Sequence, residues 1–334
     1  MVLFINVLRA LAACLITNAH YTGIYPTDLI ANGGLLGDVL FFAVSGYCLA
    51  NIKIDFSIKG FLRWYGKRIW RIYPSVIIMT VIYMLLGFYQ VTQEHNIFWW
   101  YFYPTYYHFV ASIVVLYIPF FIIMNINILK ENLFWIILGI MFVWLGIYYS
   151  IYDRRYYHID AVWEPMIRFL FMESLLLGGL FRQYDKKYKN YFRIWFLLGG
   201  IIFFCLYFFT KLLFVRKNNL ASYQFLNQMV LFVLLYFIFC IFAGLDKYLE
   251  QLPQYVKIVI NFISSITLEI YIVQYVMIGI IRNIGLRFPL NWLVVTCSIL
   301  ISAWVLHCFC HIIQDYSEKY LNKMLNNNSN ILNL

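Results

Sequence analysis

Residues 226–245 read LNQMVLFVLLYFIFCIFAGL, a stretch without one charged side chain. At 1.5 Å per residue, a helix of this length spans about 30 Å, the thickness of a bilayer's hydrocarbon core. A helix on the surface of a soluble protein would carry a polar face. This one has none beyond Asn227 and Gln228 at its start. Apolar stretches of the same kind recur on both sides of it, at 2–21, 34–51, 72–90, 106–125, 132–150, 165–182, 193–212, 257–281 and 288–310. Ten such spans, with the short loops between them, leave little of the 334 residues for any soluble domain. The sequence therefore predicts an all-α polytopic membrane protein: one integral-membrane domain over 1–325, then a polar, disordered tail over 326–334.

Composition excludes the other classes. The chain is 63 % hydrophobic and 12 % charged, with a mean hydropathy of +0.76. A soluble domain carries roughly a quarter charged residues. An outer-membrane barrel would alternate apolar and polar positions. The net charge of +10 would suggest nucleic acid in a soluble protein. Here the basic residues sit in short loops, and no nucleic-acid module is present, so they report topology. Sixteen Lys and Arg fall in one set of loops, chiefly 53–71 and 182–193, against eight in the opposite set. The excess predicts that both termini are cytoplasmic. The first apolar stretch, with Asn6 and Arg9 inside it, is expected to be a retained helix rather than a cleaved signal. Seven cysteines, an odd number with no C-x-x-C, predict packing residues rather than a disulfide framework.

Three segments stand out between the spans. The basic, amphipathic 57–71 (SIKGFLRWYGKRIWR) is expected to lie along the cytoplasmic face before turning into the third span. Two aromatic-rich segments, 96–107 and 147–157, suit an interfacial belt, with sugar stacking as the alternative.

Ionisable groups at membrane depth cost at least about 2.5–3.5 kcal/mol each, which makes them candidates for function. Arg9 and His20 are eleven residues apart, three turns plus roughly 20°, so they share a helix face about 16 Å apart. A snorkelling Arg and an interfacial His would explain either one alone; the pair on one face points to function. Arg68 and Arg71 form R-x-x-R, two guanidinium forks aimed the same way, suited to phosphates or to a positive-inside anchor. Glu173 and Glu269 lie inside predicted spans. Each needs a partner or a proton. His307 and His311, in HCFCH, have i, i+4 spacing. Cys308 and Cys310 point to other faces of the helix, so no metal site is expected.

These blocks together resemble the integral-membrane acyltransferase-3 family, which O-acylates sugars. INVLRALAACLITNAHY (5–21) matches its R-x10-H signature at Arg9 and His20. GDVLFFAVSGYCLA (37–50) is similar to its second-span block, through Phe41, Phe42, Ser45 and Gly46. FLRWYGKRIWRIYPSVII (61–78) is similar to its R-x-x-R block, with Pro74 following. PMIRFLFMESLLLGGLF (165–181) and SSITLEIYIVQYVMI (264–278) resemble its sixth and late spans. The chain departs from the pattern at Val39, where an acidic residue is frequent and Asp38 stands beside it, and at Gln274, which replaces a late-span His.

The resemblance implies an O-acyltransferase in its stand-alone form, in a bacterial cytoplasmic membrane. Its donor would be acyl-CoA, foremost acetyl-CoA, with no permanently bound cofactor and no metal. Its acceptor would be a cell-surface polysaccharide or a lipid-linked glycan. Arg68 and Arg71 would hold the donor's phosphates. His20 would serve as general base, or as an acyl-carrying nucleophile, and Arg9 would position the donor or stabilise developing negative charge. Glu269 would bind acceptor hydroxyls or orient His20. Asp38, Ser45, Glu173, Thr267 and Gln274 would contact substrate. The rival reading is a glycolipid or polysaccharide flippase, which would equally use ten spans and buried charges but would not need R-x-x-R.

Overall fold

The computed structural model describes residues 2–52, 54–104, 109–154, 159 and 165–331. Among them every regular element is a helix. In chain order these are α1 (Leu3–Ala19), α2 (Gly34–Leu49), α3 (Ile58–Leu85), α4 (Ile97–Phe102), α5 (Phe109–Asn125), α6 (Asn127–Glu131), α7 (Leu133–Ser150) and α8 (Ile167–Gln183). They continue with α9 (Asp185–Tyr188), α10 (Ile194–Arg216), α11 (Phe225–Gly244), α12 (Asp246–Leu249), α13 (Gln254–Ser265), α14 (Thr267–Ile284) and α15 (Leu290–Ile331). Six of them, α3, α7, α10, α11, α14 and α15, are long and apolar enough to cross a membrane. α1, α2 and α5 are apolar but shorter, and α8 carries Arg168, Glu173 and Arg182.

Nine of the ten expected stretches each coincide with one helix. The exception is 257–281, which breaks at Ile266 (φ −102°, ψ 17°) into α13 and α14. Thr267 Oγ1 donates across the break to the carbonyls of Ile263 (3.1 Å) and Ser264 (3.0 Å). Window-averaged hydropathy does not register such a break, because apolar runs continue on both sides of the polar Ser264, Ser265 and Thr267 that flank it. A second difference concerns 57–71, which does not turn into the third span. Ser57 caps α3 by accepting from the Gly60 N–H at 3.0 Å, and the helix runs on through Pro74 to Leu85. The basic segment and the apolar span are one helix, about 42 Å long. At the other end, α15 continues past residue 310 and through 326–331, where a polar tail is expected; 332–334 lie outside the described residues.

Small residues let the central helices approach closely. Gly46 on α2 and Gly178 on α8 face each other's backbones: a Cβ at either would run into the carbonyl of Leu175 or of Ala43. Gly37 does the same against Ala12 and Ile16 of α1. The start of α1 is pinned by Asp246, which is 1 % exposed. Its Oδ1 accepts from the Phe4 N–H at 3.1 Å and its Oδ2 pairs with Lys189 Nζ at 3.1 Å. Asn6 Nδ2 donates to Asn261 Oδ1 of α13 at 2.8 Å.

The expected aromatic belt is only partly so. Trp100 is fully buried and stacked on Tyr89, with ring centroids 4.0 Å apart. It is a packing residue there, while Phe98 beside it is exposed. Residues 105–107 and 155–157 of those segments lie outside the described residues. All seven cysteines are free thiols. Cys240 and Cys310 are buried as packing residues; the other five are exposed.

Candidate functional site

A cavity of about 500 Å³ opens between α1, α2, α3, α5, α15 and the α13–α14 break. Six of the candidate residues line it: Arg9, Ser45, Arg68, Arg71, Thr267 and Glu269. Arg9 comes from the second turn of α1 and Ser45 from the facing side of α2. Arg68 and Arg71 come from the part of α3 before Pro74, so they reach the cavity from the same continuous helix that carries the third span. Lys67 adds a third cation from the same turn.

The electrostatics are one-sided. Arg9, Lys67, Arg68 and Arg71 line the cavity, and Glu269 is the one carboxylate among its described lining residues. Arg9 Nη2 donates to the Cys48 thiol at 3.4 Å, a weak acceptor for a guanidinium. Arg68 lies over the Trp64 ring at 5.7 Å, and its buried Nε has no hydrogen-bond partner. Lys67, Arg71 and His311 are exposed at the mouth. Such a cavity suits a ligand with several negative charges, above all phosphates.

Glu269 is 7 % exposed. Its Oε1 lies 3.2 Å from His307 Nδ1 and accepts from Ser75 Oγ at 3.3 Å. The His307 and His311 rings meet edge to face at 4.4 Å, and both line the cavity. The sequence assigns HCFCH no role, because its i, i+4 spacing could hold a metal but Cys308 and Cys310 are expected on other faces and no further ligands are apparent. The signal that could have kept it was its i, i+4 placement of two polar rings on one face of a span. Cys308 faces outward, whereas Cys310 contacts Ser75 Oγ at 3.3 Å.

The remaining candidates lie elsewhere. A small pocket behind Phe41 and Phe109 shares Thr267 and Leu268 with the cavity and continues along α1 to Thr17 and Gln274. Phe41 packs on Phe109 (4.8 Å between centroids), and Phe109 on Tyr271 (4.7 Å). His20 is the C-terminal cap of α1, half-buried, and lines neither space. It stands on the Arg9 face of α1, eleven residues further along. Asp38 is half-buried one turn outside Phe41 on the same face of α2 and also lines neither. Glu173 is 1 % exposed within α8, apart from the cavity, and its Oε1 has no partner among the described residues. Among the described residues no three His, Cys, Asp or Glu side chains converge as a metal centre.

Fold and site together define a multi-pass helical membrane protein with a basic, phosphate-suited cavity inside its bundle. The chain belongs to the acyltransferase-3 family: the family model, described as an acyltransferase domain, matches residues 2–308, from α1 well into α15. Among curated proteins and among solved structures no match to the chain was found.

Proposed function

We propose that the protein is an O-acyltransferase that moves an acyl group, foremost acetyl, from cytoplasmic acyl-CoA to a hydroxyl of a cell-surface polysaccharide or lipid-linked glycan. In this reading ten spans cross a bacterial cytoplasmic membrane with both termini inside. The observation that carries it is the meeting of Arg9, Arg68 and Arg71 in one cavity beside a single carboxylate. The donor's phosphates dock at Arg68, Arg71 and Lys67, with the unmet Arg68 Nε as one donor to them. The acyl-bearing arm lies past Arg9 and follows the α1 face toward His20. The Phe41, Phe109 and Tyr271 rings part to admit it.

His20 takes the proton of the acceptor hydroxyl, whose oxygen attacks the thioester carbonyl. The C–S bond breaks and CoA leaves as thiol or thiolate. Arg9 positions the donor from the cavity side. Glu269 holds His307 on the cavity wall, and Ser45 and Thr267 line the path between the two ends.

The test uses membranes containing the full chain, acetyl-CoA labelled in its acetyl group, and surface glycan as acceptor. Label enters glycan with the wild type and not with His20→Ala, while donor binding is retained. Equal label in both removes His20 from the chemistry. No label in either, with a folded protein and acceptor present, turns the reading first to another acyl donor and then to the flippase.

A further inference from the structure

The first three turns of α3 carry two faces of different character. Phe61 and Trp64 pack inward on Phe121 of α5, with ring centroids 5.2 and 5.1 Å apart. The Tyr65 hydroxyl donates to the Val114 carbonyl of the same helix at 3.2 Å. Ile58, Lys59, Leu62, Arg63 and Lys67 are exposed, Ile58 at 81 % and Leu62 at 61 %. At about 100° per residue, Ile58 and Leu62 share a strip about 40° wide on that outward side. Lys59, Arg63 and Lys67 form a second strip beside it, about 80° wide.

Three cations at i, i+4 and i+8 repel one another. Nothing on their own helix offsets this, because α3 contains no acidic residue. The ion pairs among the described residues involve Arg182, Lys189 and His307 instead. Asp55, just before the helix, is exposed and pairs with none of the three. Water would suit the cations but not Ile58 and Leu62. A soluble polyanion would meet the charge and leave those two side chains in water. The polar boundary of a bilayer serves both strips, with phosphates for the cations and upper acyl carbons for the apolar pair. The helix itself keeps this face beside the bilayer, because it runs on as an apolar span to Leu85. Its length of about 42 Å exceeds the hydrocarbon core by about 12 Å, the depth of a headgroup layer and a little more.

We infer that the outward face of α3, with Lys59, Arg63 and Lys67 beside Ile58 and Leu62, is a docking surface for anionic phospholipid headgroups. The leaflet is the one that the proposed topology makes cytoplasmic. Lys59 and Arg63 hold the phosphates, and Ile58 and Leu62 rest on the acyl chains next to them. Lys67, at the end of the row, also lines the cavity, so the bound lipid borders the cavity mouth.

The experiment places the full-length protein in vesicles of equal parts phosphatidylglycerol and phosphatidylcholine. The protein is then extracted in a neutral detergent, and the lipid it retains is counted by native mass spectrometry. The wild type is expected to retain phosphatidylglycerol over phosphatidylcholine. Each basic residue at an anionic surface contributes about fivefold, so Lys59→Gln/Arg63→Gln lowers the retained phosphatidylglycerol about tenfold or more. Lys59→Arg/Arg63→Lys keeps it. Ile58→Gln/Leu62→Gln, which removes no charge, lowers it as well. Lys186→Gln/Lys187→Gln, which removes two exposed cations elsewhere, leaves it unchanged. An equal loss in this last pair overturns the inference, because retention would then follow net charge alone. A wild type without preference between the two lipids overturns it too. So does release of the lipid by millimolar inorganic phosphate, which would make the row a general anion site. None of these measurements uses acyl transfer, so the acyltransferase reading stands or falls separately.

Discussion

Glu269 Oε1 lies 3.2 Å from His307 Nδ1, joining the first turn of α14 to the last long helix, with side-chain exposures of 9 % and 22 %. Neither residue's partner can be read from chain position, since 38 residues separate them. The pair lines the same cavity as the arginines. The break at Ile266 starts α14 at Thr267, which sets Glu269 in a first helical turn rather than in mid-span.

This contact should couple energetically. His307→Ala leaves Glu269 with Ser75 as its neighbour, and Glu269→Gln leaves His307 with an amide. Each single change is expected to destabilise by about 1–3 kcal/mol, and the double mutant by less than the sum, with a coupling of about 1 kcal/mol. Thermal unfolding of the four proteins in one detergent measures it. Strict additivity would mean that the pair is only an accident of proximity.

The glycines offer a sharper contrast. A Cβ at Gly178 would strike the Ala43 carbonyl, and one at Gly46 the Leu175 carbonyl, both backbone atoms that cannot swing away. Gly178→Ala and Gly46→Ala are expected to cost more than about 3 kcal/mol and to leave little folded protein in the membrane. Gly139, Gly146 and Gly279 have open space where the Cβ would go. Alanine at those three is expected to be neutral or mildly stabilising, within about 1 kcal/mol. The measurement is the folded yield and melting temperature of all five variants.

The helices were legible because a bilayer leaves an apolar run few alternatives. Uncharged stretches such as 226–245 locate them without any knowledge of packing. The same hydropathy is blind to what happens inside a run. It joined α13 to α14 through Ile266, and it separated the basic turns of α3 from the apolar ones that continue them. Arg9, Arg68 and Arg71 could be named because charge at depth is costly, and the helical period put each on a definable face. Their meeting in one cavity is a tertiary fact. So is the placement of His20, which lines neither that cavity nor the small pocket behind Phe41 and Phe109. The contact of His307 with Glu269 is not legible in the sequence, because the two sit on different helices 38 residues apart.

Asp246 anchors α1 through two contacts, the Phe4 N–H and Lys189. Asp246→Ala removes both and leaves a helix start without its acceptor. Lys189 is partly exposed and can turn to water, so the loss is expected to be about 2–3 kcal/mol rather than the larger penalty of a fully buried pair. Because Arg9 stands little more than one turn further along, transfer should fall along with stability. Lys189→Met, which leaves the Phe4 contact intact, should cost less. Unfolding midpoints of the two variants decide whether the hydrogen bond or the ion pair carries the anchor.

Arg68 and Arg71 are separable by what surrounds them. Arg68 is half-buried over Trp64 with an unmet Nε, and Arg71 is exposed at the mouth. A charge-assisted hydrogen bond contributes about 1.5–3 kcal/mol, so loss of the more buried Arg68 is expected to raise KM for acyl-CoA about 10- to 100-fold. Loss of Arg71, whose charge is screened by water and salt, should raise it severalfold at low salt and less at high salt. Arg68→Lys should not restore the wild-type KM, because an ammonium cannot reproduce the guanidinium fork or its stacking on Trp64. Arg71→Lys should restore most of it, because at the mouth the charge matters more than the geometry. The check is KM for acyl-CoA in the four variants at low and high salt. Equal losses at both positions, unaffected by salt or by lysine, would place the phosphates somewhere other than this mouth.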